Sequence, residues 1–88
     1  MDFTLAEEDI AFRRDKREWI RANLPDDIAV RGKRGFHATR GDAETWTRLL
    51  NTRGWAAPAW PEAYGGTNWS PLQRYFFQLE LRAAGAPV

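Results

Sequence analysis

An all-α fold with three main helices is what this sequence predicts, on three observations. Two helix-start signals, Thr4-Leu5-Ala6-Glu7 and Ser70-Pro71-Leu72-Gln73, each precede apolar residues spaced three and four apart. Gly54 and Gly85 stand where such patterns end, and a left-handed residue closes a helix there. Between Gly54 and Ser70 the prolines at 58 and 61 and the pair Gly65-Gly66 leave no room for a strand of useful length.

The first helix is predicted over about 5–24. Thr4 and Glu7 form a capping box, and Glu7, Glu8 and Asp9 precede Arg13, Arg14, Lys16, Arg17 and Arg21, the order that the helix dipole favours. Leu5, Phe12, Trp19, Ile20 and Leu24 share a face. Lys16 interrupts that face, which suggests a peripheral helix with the lysine stem along apolar surface and the ammonium outside. Pro25 stops it, because the residue before a proline avoids helical geometry.

From Asp26 to Gly41 the composition changes. Gly32, Gly35 and Gly41 alternate with Arg31, Lys33, Arg34, His37 and Arg40, which reads as an exposed basic loop. A phosphate-binding role is the alternative reading, and Phe36 is the residue expected to pin the loop to the body. His37 is expected to be a surface histidine, since no second ligand accompanies it at metal spacing. The second helix is predicted over 43–53, with Asp42 as N-cap, Trp46, Leu49 and Leu50 on one face, and Trp55 folding back after Gly54.

The stretch 54–70 holds three of the five tryptophans and reads as a joint between helices. The third helix, 71–84, has Ser70 as N-cap, Pro71 at its first position and Gln73 completing a capping box. Leu72, Tyr75, Phe76, Leu79 and Ala83 form its expected buried stripe, while Phe77, Leu81 and Ala84 extend apolar character round the cylinder. Such a helix is usually buried on more than one side.

Composition narrows the function classes. Thirteen basic and twelve acidic residues leave a net charge of +1, too little for a global field toward nucleic acid or an anionic membrane. Nucleic-acid binding through Arg31, Lys33, Arg34 and Arg40 has no recognition motif behind it. The chain has no cysteine, which rules out disulfides and thiolate metal sites within it and fits a reducing, cytoplasmic setting. No apolar run approaches the roughly 20 residues of a membrane span. Twelve large aromatic rings are more than a domain of this size easily buries, so some are expected to face a partner or a further part of the same protein.

Reactive constellations are missing as well. Gly65-Gly66 is not followed by Gly-Lys-Ser/Thr, and Gly32-Lys33-Arg34-Gly35 lacks the strand and third glycine of a dinucleotide fingerprint. Glu62 and Glu80 are the carboxylates nearest apolar residues, each more ordinary as a solvated or paired group than as an acid or base. Tyr64 is expected to bond loop backbone, and the Ser70 hydroxyl is occupied as a cap. No residue is assigned a catalytic, cofactor-binding or metal-binding role.

The residues do carry a family likeness. Asp2-Phe3-Thr4-Leu5, the run Trp60-Pro61-Glu62-Ala63-Tyr64-Gly65-Gly66-Thr67-Asn68-Trp69-Ser70-Pro71, Gln73-Arg74-Tyr75, Glu80-Leu81 and Ala84-Gly85-Ala86-Pro87 resemble the N-terminal helical domain of bacterial acyl-CoA dehydrogenases. Ala63, and Gln78-Leu79, depart from that pattern where acidic residues are common, which touches surface charge more than fold.

The resemblance implies a helical domain spanning 1–88, with a middle β-domain and a C-terminal helical domain beyond it, so that this chain is a fragment. It implies a homo-oligomeric parent that uses FAD to oxidise acyl-CoA thioesters to 2-enoyl-CoA. The FAD site and catalytic glutamate of the family belong to the later domains. The segment itself is then inactive, a scaffold and distant wall of the acyl pocket. A non-enzymatic helical interaction module derived from that family is the alternative.

Overall fold

A computed structural model describes residues 7–58, 60, 63 and 66–87. It is all-α, with α1 (Glu7–Asn23), α2 (Asp26–Lys33), α3 (Arg40–Asn51) and α4 (Pro71–Ala84). No described helix is long and apolar enough to cross a membrane. The Thr4 capping box, Leu5, Glu62, Tyr64 and Gly65 lie outside the described residues.

α1 docks chiefly on α4, and α2 also packs against α4. One core joins all four helices: Ile20 and Leu24, Ile28, Trp46 and Leu50, then Trp55, Phe77, Leu81 and Ala86. Six rings form a continuous aromatic cluster within it. Trp55 lies 5.0 Å from Trp19, 5.7 Å from Trp69 and 5.9 Å from Phe77, and Trp19 reaches Trp46 at 5.7 Å. Phe12 meets Trp69 edge-on at 5.1 Å. The aromatic surplus is therefore largely consumed by rings packing on rings. Trp60 and Tyr75 remain exposed.

The stretch read as a basic loop begins instead with α2. Asp26 and Asp27 sit in its first turn, Arg31 and Lys33 in its last, and Ile28 is buried in the core. Gly32 looked like a loop residue but serves helix packing. A Cβ there would overlap the backbone carbonyl of Gly85, so α2 crosses the end of α4 at a distance only glycine permits. Phe36 does not anchor the following turn, being 62% exposed. The turn is held by backbone instead: with Gly35 at φ 81°, the Phe36 N–H donates to the Arg31 carbonyl at 3.1 Å.

The same closure ends α3 and α4. Trp55 N–H donates to Leu50 O at 3.0 Å past Gly54, and Ala86 N–H to Leu81 O at 2.9 Å past Gly85, both glycines having positive φ. At the start of α3 the cap is Thr39, whose hydroxyl accepts from the Asp42 N–H at 3.0 Å. Asp42 lies inside the helix, its carboxylate turned to Arg31. At α4 the expected capping box is present in both directions, Ser70 with Gln73.

The buried face of α4 is rotated from the expected stripe. Phe76, Phe77, Glu80 and Leu81 are buried, while Leu72 and Tyr75 are exposed. The true face follows 76, 77, 80, 81 and 84, keeping Phe76 of the expected stripe, and the carboxylate at 80 hides the rest from an apolar-periodicity reading.

Candidate functional site

Three charged side chains are buried among the described residues: Lys16, Asp42 and Glu80. Their partners decide what chemistry is open to them, because a buried charge needs compensation.

Glu80 is 4% exposed and faces α1. Arg17 grips it with two bonds, Nε to Oε2 and Nη2 to Oε1, both 2.9 Å, and Arg13 adds Nε to Oε1 at 3.1 Å. The Arg17 guanidinium, with Arg13 beside it, holds the Glu80 carboxyl below its ordinary value of 4.5, against the burial that would raise it. Such a carboxylate stays ionised and makes a poor general acid or base. Arg17 is raised in turn, first by its hydrogen bond to Glu80. The geometry makes Glu80 a bolt between α4 and α1.

Asp42 plays the same part between α3 and α2. Arg31 Nε donates to Oδ2 at 2.8 Å, its Nη2 bonds Oδ1, and the same nitrogen reaches Asp27 at 3.1 Å. Arg31 holds the Asp42 carboxyl below its usual range, burial opposing, with the Thr39 contacts adding to the effect. Arg31 is correspondingly raised by Asp42 and Asp27. Arg40 pairs with Glu44 at 2.9 Å. Two of the cations that suggested a phosphate loop are thus committed to carboxylates.

Lys16 departs furthest from expectation. Its ammonium was expected outside the body, yet the residue is 8% exposed. Nζ lies 4.4 Å from the centre of the Phe12 ring, 4.8 Å from Trp55 and 5.5 Å from Trp69, an aromatic cage closed by Asp15 at 2.6 Å. The residue that broke the apolar stripe of α1 is part of the core, solvated by ring faces instead of water.

Cavities lie along three of these helix junctions. A groove of about 430 Å³ runs between α1, α2 and α4, walled by Ile20, Leu24, Ala29 and Ala84 and edged by Arg13, Arg17, Arg21, Lys33, Asp26 and Glu80. A cavity of about 260 Å³ lies beside Phe36, His37 and Arg82. A third, about 240 Å³, is bordered by Trp46, Trp55 and Phe77. Trp46 is 1% exposed and its Nε1 has no hydrogen-bond partner among the described residues. No group of three metal-ligating side chains comes together among the described residues. Ser70 Oγ is engaged with the Gln73 N–H as a cap. The Arg13–Arg17–Glu80 bolt left no trace in local sequence, since its members lie 63 and 67 residues apart.

Four helices joined by paired buried charges and a caged lysine define an all-α domain. The family is narrower than that class. A family model described as acyl-CoA dehydrogenase, N-terminal domain, matches residues 6–88, and the chain belongs to that family. No curated protein and no solved structure matches it.

Proposed function

We propose that this chain is the N-terminal helical segment of an FAD-dependent acyl-CoA dehydrogenase, an enzyme that oxidises acyl-CoA thioesters to 2-enoyl-CoA. The single observation that carries the reading is the family match over 6–88. The segment's role is that of scaffold and distant wall of the acyl pocket, in a homo-oligomeric cytoplasmic parent. Flavin binding and proton abstraction are assigned, on the family likeness, to residues outside this segment.

The test is made on the intact protein as its host produces it. It should carry flavin absorbance that bleaches on addition of a saturated acyl-CoA, with the matching 2-enoyl thioester detected by mass spectrometry. Intact protein without flavin, or flavin that no acyl-CoA reduces, would overturn the dehydrogenase reading.

A further inference from the structure

We propose that the groove between α1, α2 and α4 binds a small organic phosphate, with Arg21 and Lys33 as its charged contacts and Ile20 and Leu24 as its apolar wall. Arg13, Arg17 and Arg21 stand four residues apart along α1, so they form one row about 6 Å apart per step. Lys33 joins them from α2.

Four cations line the groove against two carboxylates, Glu80 and Asp26, leaving a surplus of two positive charges. A phosphomonoester carries about −1.5 to −2 at pH 7 and three acceptor oxygens, so its charge matches that surplus. Arg13 and Arg17 are already oriented by Glu80, and among the described residues neither Nη1 is engaged. Arg21 and Lys33 form no salt bridge among the described residues. A volume of about 430 Å³ falls in the range of small-molecule sites, which favours a small ligand over a peptide. The apolar wall favours an organic phosphate over the inorganic ion.

The inference does not depend on the dehydrogenase reading, and its readout is binding. Calorimetry on the intact protein at fixed ionic strength compares phenyl phosphate, inorganic phosphate and an acidic peptide. Phenyl phosphate should bind saturably and several-fold more tightly than inorganic phosphate. The double variant Arg21→Gln/Lys33→Gln should weaken it at least about tenfold, the loss of one charge-assisted contact or more, at unchanged Tm. Should the double variant lose stability through the lysine stem beside Gly85, Arg21→Gln alone carries the test. Absent saturable binding, affinity indifferent to these substitutions, or capture of the peptide in place of phenyl phosphate refutes the proposal.

Discussion

Replacing Gly32 by alanine tests the packing of α2 directly. In an ordinary helix the change stabilises by up to about 1 kcal/mol, since glycine loses the most backbone freedom on folding. Here the new methyl falls on the backbone of Gly85, 2.9 Å from its Cα and nearer still to its carbonyl. Backbone cannot turn aside as a side chain can, so α2 must shift, and Ile28 with it. Overpacking costs about 1 to 3 kcal/mol, and a backbone obstacle belongs at the upper end. The net loss is about 2 kcal/mol, which for a chain of this length lowers Tm by roughly 8–16 °C. Gly41→Ala is the internal control: its methyl would meet only the Thr39 hydroxyl, at 3.8 Å, and it should raise Tm. Thermal unfolding followed by far-UV circular dichroism reads both. If Gly32→Ala stabilises as Gly41→Ala does, α2 does not cross α4 as described.

Other substitutions probe the buried charges. Lys16→Ala should cost about 2 to 4 kcal/mol in denaturant unfolding, through lost packing and up to about 2 kcal/mol of cation–π attraction, whereas Lys16→Met, which keeps the volume, should cost less than half as much; an alanine variant within about 0.5 kcal/mol of the parent would place Lys16 on the surface. Because the Glu80 carboxyl lies below 4.5 in the folded chain, its stabilisation is complete above that pH and drains as pH falls through the lowered value. Tm should therefore decline on acidification below about pH 4.5, and Glu80→Gln, costing about 1.5 to 3 kcal/mol at neutral pH, should flatten the decline; equal acid slopes for parent and variant would contradict it. Thr39→Ala should cost about 1 kcal/mol as loss of the real cap. Asp42→Asn should lower Tm by loosening Arg31, whereas an N-cap aspartate would tolerate asparagine.

The fold class was legible because its signals are local. Gly54 with Trp55, Gly85 with Ala86, and Ser70 with Gln73 act within six residues, and each closes or opens a helix as its sequence indicates. α2 was hidden because Gly32 within it and Gly35 just past it suggested loop for reasons unrelated to loops. Gly32 is small to admit Gly85, and Gly35 is left-handed to end the helix. The rotated face of α4 and the inward turn of Lys16 share one cause. Periodicity arguments treat charge as a mark of surface, and here Glu80 and Lys16 are charged and buried because partners distant in sequence receive them.

That shared cause bears on how α1 is held. Of its described residues only Lys16 and Ile20 are buried, with Phe12 and Trp19 half-buried against the core, so apolar area is one part of its hold. Two further attachments add to it, both made by cations of α1: the Arg13 and Arg17 grip on Glu80, and the Lys16 ammonium among three rings. The first requires an ionised carboxylate, while the second requires ring faces and is indifferent to Glu80. Acid therefore removes one attachment and leaves the other. On acidification α1 should loosen at its Arg13–Arg17 side while the aromatic cluster around Trp55 persists. Tryptophan near-UV circular dichroism retained below the pH at which α1 amides gain hydrogen-exchange rate would show that order, and simultaneous loss of both would show that the two attachments act as one.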